Sequence, residues 1–258
     1  MALLEVRGLE KSFGGVTALA DLSFSVPEGI VYAVIGPNGA GKTTLFNTLC
    51  GFYRPSDGSI HFGERELVGS DPHRIARHGV SRTFQNLQVF FNMTVLENVM
   101  VGCHLRGRTG LLGAALRLPS VLREERQIRH WSREALTFCG LDTMAGQEAS
   151  ALPYGVLKRV EVARALAAKP RLLLMDEPAA GLNDTETLEM AQLIGRIRDA
   201  GITVLLVEHN MGLVMQVSDR ILVLDYGSAL AEGTPAEIRA APRVVAAYLG
   251  GEVQYAVP

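Results

Sequence analysis

Nine consecutive residues, Gly36-Pro37-Asn38-Gly39-Ala40-Gly41-Lys42-Thr43-Thr44, satisfy the spacing G-x-x-x-x-G-K-[ST] through Gly36, Gly41, Lys42 and Thr43. Glycines so spaced let the backbone turn its N–H groups inward as a nest for an anion, and a helix opening at the lysine adds the partial positive charge of its N-terminus. Lys42 then reaches the β and γ phosphates, and the Thr43 hydroxyl supplies an oxygen to Mg²⁺. The chemistry implied is the binding and hydrolysis of ATP.

A second group completes that chemistry. The apolar run Leu172-Leu-Leu-Met ends in Asp176-Glu177-Pro178, so a buried strand points two carboxylates at its own end. In one reading Asp176 holds Mg²⁺ directly or through a water, while Glu177 polarises the water that attacks the γ phosphate. In the other, the pair caps the helix that follows near Thr185.

The elements that must position these groups follow from the pattern. Short aliphatic runs at Ile30 to Ile35, Arg171 to Met175, Ile202 to Val207 and Ile221 to Leu224 alternate with helical segments at Lys42 to Cys50 and Glu186 to Arg198. That rhythm predicts βαβ units around a largely parallel sheet. Leu3 to Leu9, Leu22 to Val26 and Ser59 to Phe62 alternate as antiparallel strands do, which predicts a mixed sheet at that edge. From about Asn86 to Val162 the strand rhythm stops, and helices are expected near Thr94 to Val101, Val121 to Phe138 and Leu157 to Ala168. Between them, Arg106 to Pro119 carries Gly107, Gly110 and Gly113 and reads as a flexible excursion. The tail after Leu249 shows no periodicity and is expected to be loosely held.

Composition narrows the partners. With 48% hydrophobic and 20% charged residues the chain is globular, and 25 Lys plus Arg against 27 Asp plus Glu give none of the basic excess expected of a nucleic-acid binder. Cys50, Cys103 and Cys139 lack the spacing of a metal site or disulfide framework and read as small apolar residues. The start, Met1-Ala-Leu-Leu-Glu-Val-Arg, is not expected to be a secretory signal. No apolar run approaches the roughly 18 residues that cross a bilayer, so a membrane role has to come from a partner. His104 to Glu134 holds seven arginines against three glutamates, read as a solvated helix face with Ile128, Trp131 and Ala135 packed inward, or else as a contact for membrane-protein loops or headgroups. Phe90, Phe91 and Met93 read equally as core or as the lining of a groove for a membrane subunit.

The order phosphate loop, Gln85, Leu152-Pro-Tyr-Gly155-Val-Leu-Lys-Arg-Val-Glu-Val-Ala-Arg164, Asp176-Glu177 and His209 resembles that of an ABC ATPase, over essentially the whole chain. The resemblance implies an α/β fold: a P-loop NTPase core with a mixed or parallel sheet, an antiparallel β edge subdomain and an inserted helical subdomain at 86–162, all within one nucleotide-binding domain spanning 1–258. It also implies that Phe13 stacks on adenine, that Gln85 senses metal and γ phosphate, that Leu152 to Val156 with Tyr154 and Gly155 form the signature segment, and that His209 contacts the γ phosphate. Ala180-Gly181-Leu182-Asn183 resembles the loop that crosses to a second ATPase subunit. ATP and Mg²⁺ are the expected ligands. Catalysis falls to Glu177, His209 and Gln85, metal binding to Thr43, Gln85 and Asp176.

The family's common signature is Leu-Ser-Gly-Gly-Gln, and here Pro153, Tyr154 and Val156 replace the serine, the first glycine and the glutamine. The loss of two polar contacts predicts weaker ATP-driven closure and an asymmetric heterodimer with a related chain, a homodimer being the other form. Phe90-Phe-Asn-Met-Thr-Val-Leu-Glu-Asn-Val, Asp176 to Asn183 and Val244-Val-Ala-Ala-Tyr-Leu-Gly250 are similar to the subgroup serving uptake of branched-chain and other hydrophobic amino acids. Membrane permease subunits, indirectly a solute-binding protein, and a place on the inner face of the cell membrane are then implied. Urea or amide import and lipopolysaccharide export are related systems with the same nucleotide chemistry. A soluble mechanical ATPase is disfavoured because the chain has neither heptads nor a basic surface.

Overall fold

The computed structural model describes residues 2–107 and 119–244. Residues 108–118 of the excursion expected from Arg106 to Pro119, and the whole tail expected to be loose after Leu249, lie outside the described residues. The described strands, in chain order, are β1 (Ala2–Phe13), β2 (Val16–Pro27), β3 (Val31–Ile35), β4 (Asp57–Phe62), β5 (Arg65–Glu66), β6 (Val80–Arg82), β7 (Leu172–Asp176), β8 (Thr203–Val207), β9 (Arg220–Asp225) and β10 (Ser228–Gly233). They form two sheets. One is antiparallel in the order β2-β1-β4-β5; the other runs β10-β9-β3-β8-β7-β6, parallel except for β10. The α/β core and its antiparallel edge strands are as the alternation of apolar runs predicts, but the expected mixed sheet at that edge is not formed among the described residues. β1, β2 and β4 pair in a sheet of their own with β5, and the parallel sheet is mixed only through β10.

β3, β7 and β8 are buried at every position, the mark of parallel strands covered on both faces. The two-residue period of β3 divides the interior. Val31, Ala33 and Ile35 face an apolar cluster shared with Met175 and the helical region, while Tyr32 and Val34 face one shared with Leu45, Phe46 and the antiparallel sheet. Register then sets the site. Val34 of β3 and Asp176 of β7 both pair with Val207 of β8, so the three strands end level and the loops after them share one crevice.

The described helices are α1 (Lys42–Leu49), α2 (Pro72–Arg77), α3 (Val95–Gly102), α4 (Pro119–Phe138), α5 (Tyr154–Ala167), α6 (Asp184–Asp199), α7 (Met211–Val217) and α8 (Pro235–Ala240). α3, α4 and α5 pack on one another through Val95, Val99, Leu136, Val160 and Ala163. α3 starts with a capping box, in which Thr94 Oγ1 accepts from the Glu97 N–H and Glu97 accepts from the Thr94 N–H. Thr94→Ala is expected to cost about 1 kcal/mol and lower the melting temperature by about 2–4 °C. A thermal melt checks it.

On α4, Ala135 is buried while Ile128 and Trp131 are partly buried against the core, the inward face expected of it. Phe90 and Phe91 are 44% and 51% exposed, which removes the core alternative for them. The three cysteines are buried, and burial pushes the Cys50 thiol up to about 11 and that of Cys139 to about 12, as befits packing residues.

Candidate ATP-hydrolysis site

The loop between β3 and α1 is held open by close approaches that admit no side chain. Gly36 has φ of 155°, and a Cβ there would lie 2.2 Å from the Leu224 carbonyl oxygen; Gly41 has φ of 100°, and its Cβ would lie 2.5 Å from that of Ala18. Gly41 is also the N-cap of α1 and offers no side-chain acceptor, so the first-turn N–H groups of α1 point at the loop's concavity. Pro37 accepts from the Ala40 N–H at 3.2 Å, and the turn at Gly227 braces the loop by donating to the Ala40 carbonyl at 3.1 Å. Asn38, Gly39 and Thr43 are exposed and Thr44 is half-buried.

Lys42 is buried, and its ammonium donates to the carbonyls of Gly36 at 2.6 Å and Pro37 at 3.0 Å. Burial lowers its pKa below the ordinary lysine value, while the nearby Glu177 and Asp176 carboxylates oppose that shift. The buried ammonium and the first-turn N–H groups of α1 concentrate positive charge on this loop.

Facing it, the segments after β6, β7 and β8 bring three of the expected residues into direct contact. Glu177 Oε2 accepts from Gln85 Nε2 at 2.8 Å, and its Oε1 lies 2.7 Å from His209 Nε2. Glu177 holds φ of 48°, rare for a side-chain-bearing residue, and is fixed there by donating its N–H to Val207 at 2.8 Å. The alternative reading, an acid capping the next helix, does not hold, because the N-cap of α6 is Asn183 with its own capping box to Glu186.

Asp176 is gripped by a residue that the pattern of the chain does not single out. Arg82, at the end of β6, donates to Asp176 Oδ2 at 2.7 Å and to Asn47 Oδ1 of α1 at 2.7 Å, packed against the rings of Phe46 and Phe84. One guanidinium thus ties α1, β6 and β7 together. Its only signal is a charged residue three positions before Gln85, in a strand too short to read. Gln85 has a comparable support. Lys158 of α5 donates to the Gln85 carbonyl at 2.9 Å, Glu161 accepts from the Gln88 N–H at 3.1 Å, and Arg164 donates to the Gln88 carbonyl. Glu161 is buried, which raises its carboxyl pKa against the pull of Lys158 and Arg164. The spacing of these three places them on one face of α5, so that helix and the Gln85 loop are clasped together.

The remaining expected residues stand apart from the Glu177 cluster. Phe13, 43% exposed, meets Tyr53 edge-on at 5.1 Å, with Lys11 Nζ 4.7 Å from its ring centre. Tyr154 and Gly155 open α5. Tyr154 packs on Gly181, and a Cβ on Gly155 would lie 2.3 Å from Glu186 Oε1. Pro153 is the N-cap and has no side-chain oxygen, so the first turn of α5 keeps its N–H groups uncapped. The Val156 side chain is buried and adds no polar group to that end, where only its backbone N–H counts.

Residues 19–180 match the ABC transporter family model, and residues 230–254 match the branched-chain amino acid ATP-binding cassette transporter model. The chain belongs to the ABC transporter family. It is 45% identical over 249 residues to the high-affinity branched-chain amino acid transport ATP-binding protein BraF of Pseudomonas aeruginosa, covering 96% of this chain and 98% of that protein. It is 46% identical, with the same coverage, to the high-affinity branched-chain amino acid transport ATP-binding protein LivG of Salmonella typhimurium. A crystal structure of a nucleotide-free ATP-binding cassette from an ABC transporter superposes with a TM-score of 0.84 at 31% identity, over 96% of this chain and 99% of that one. As a cassette of this family the chain is an ATPase whose hydrolysis is coupled to transport. Among the described residues, no helix is long and apolar enough to cross a membrane.

Proposed function

We propose that this ABC cassette hydrolyses ATP to drive uptake of branched-chain or other hydrophobic amino acids through separate permease subunits, fed by a solute-binding protein. The observation that carries the chemistry is Glu177 held at 2.8 Å and 2.7 Å between Gln85 and His209, opposite a phosphate loop whose lysine is buried. The nature of the solute rests on end-to-end similarity to branched-chain amino acid transport proteins. Isolation of the complex from native membranes tests it. Permease subunits should copurify, and a leucine-loaded binding protein should stimulate ATP turnover.

In this reading Phe13 stacks on adenine, the N–H groups of Gly36 to Thr44 cradle the phosphates and Lys42 pairs with β and γ oxygens. Glu177 takes the proton of the attacking water, and Gln85 and His209 orient Glu177 and contact the γ phosphate. The Thr43 hydroxyl, the Gln85 amide oxygen and the Asp176 oxygen not taken by Arg82 are hard oxygen donors of the kind Mg²⁺ prefers, and these residues would hold it. The ion supplies charge neutralisation on the phosphates when bound.

The open N-terminus of α5 serves the nucleotide of a second ATPase subunit, with the loop at Ala180 to Asn183 crossing between the chains. Because Pro153 and Val156 offer no polar contact there, the favoured partner is a related chain. The isolated chain should associate only weakly on adding ATP, as light scattering would show. Tight homodimers whose turnover is undiminished when the partner is added contradict the heterodimer. The permease subunits are assigned the groove of about 850 Å³ that Phe90 lines with Phe52, Phe84 and Val101 beside Arg77 and Arg106; Phe91 and Met93, read with Phe90 as groove lining, do not border it. Phe90→Glu should abolish copurification of the permease and leave ATP binding unchanged.

A further inference from the structure

β8 ends in a second buried carboxylate. Glu208 is 4% exposed, and its two oxygens serve two different loops. Oε1 accepts from the Ala179 N–H at 2.7 Å; Oε2 accepts from the N–H groups of His209 at 2.9 Å and Asn210 at 3.1 Å. Asn210 in turn caps α7, its side chain accepting from the Leu213 N–H at 3.1 Å. Ala179 belongs to the segment that follows the acid pair and leads into Ala180 to Asn183. His209 carries the ring that meets Glu177.

We infer that Glu208 is a positioning residue for hydrolysis, binding the backbone of His209 to the loop after Glu177 so that the two loops move as one body. His209 is then fixed from both ends, its backbone by Glu208 and its ring by Glu177. A carboxylate suits this task better than any neutral side chain, because its two acceptor oxygens make short, strong bonds to three N–H groups at once. An amide in its place has one acceptor oxygen. Its NH₂ would face either the Ala179 N–H or those of His209 and Asn210, and one loop would come free. Displacement of Ala180 to Asn183 by a second subunit is transmitted to His209 through this side chain. The inference rests on the reading of His209 given above.

The test is a double-mutant cycle on steady-state ATP hydrolysis by the full chain in its membrane complex. Glu208→Gln should lower kcat about tenfold while leaving KM for ATP within about twofold, because the phosphate loop is untouched. In a His209→Ala background the same substitution should cost less than about twofold further, since the group it positions is gone. A similar loss in both backgrounds overturns the inference, as does an unchanged kcat for Glu208→Gln alone. If His209→Ala by itself leaves turnover intact, the reading of His209 fails, and this inference with it. Should the amide variant not fold, as a melting curve would reveal, Glu208→Asp is taken through the same cycle. It keeps the charge but has a reach too short for both loops.

Discussion

Glu177→Gln is expected to bind ATP as the parent chain does and to hydrolyse it about a thousandfold more slowly, the middle of the range for loss of a general base. The amide has the size of the carboxylate and retains one oxygen for Gln85 Nε2, so the cluster built on the 2.8 Å and 2.7 Å contacts keeps its shape. What it lacks is basicity. Lys42 and the glycine loop make no hydrogen bond to Glu177, so the ground-state grip on phosphate persists. Steady-state turnover together with calorimetric ATP binding checks both halves. Undiminished hydrolysis would assign the base to another group.

Lys42→Ala should act in the opposite way, weakening ATP binding about a hundredfold, as expected when charge-assisted contacts worth about 1.5–3 kcal/mol are removed. Its ammonium acts on ground state and transition state alike, so the loss appears in affinity as well as in turnover. Its surroundings show why this lysine is poised for an anion. It is buried on two carbonyls, and burial already disfavours its charge, so a bound phosphate gains a cation that water barely reaches. Calorimetry decides it. Affinity within about twofold of the parent would mean that the backbone nest alone holds the phosphates.

The parts of this site that are legible in the sequence are those whose physics is local. The phosphate loop is nine residues in a row, the acid pair terminates its own apolar run, and Thr94 announces α3 through a capping box that closes within four residues. The antiparallel edge is legible because Leu4 and Val6 of β1 alternate toward the core, although a register shift between Val6 and Leu9 breaks the period beyond them. What is not legible is what tertiary pairing creates. β6 is three residues whose partner, Leu172 to Leu174, lies some ninety positions on, and only that pairing turns Val80–Arg82 into a strand. Arg82 and Lys158 read as solvated charges until β6 meets β7 and α5 meets the Gln85 loop. Glu208 did carry a signal. It ends the apolar run at Ile202 to Val207 just as Asp176 ends the run before it, and neighbouring parallel strands that both terminate in acids point them into one crevice. The exposure of Phe90 and Phe91 was undecidable from sequence, since an aromatic pair suits a core and a docking groove equally.

In the proposed function, hydrolysis at Glu177 drives solute across a membrane through partner subunits. The most direct measurement is uptake of labelled leucine into proteoliposomes that contain the complex purified from native membranes, with ATP on the cassette side and the binding protein on the other. The account predicts uptake that requires ATP and stops in complexes carrying Glu177→Gln, although those complexes still bind ATP. Leucine uptake that continues unchanged in the Glu177→Gln complex, or brisk ATP hydrolysis that never moves leucine, would contradict it.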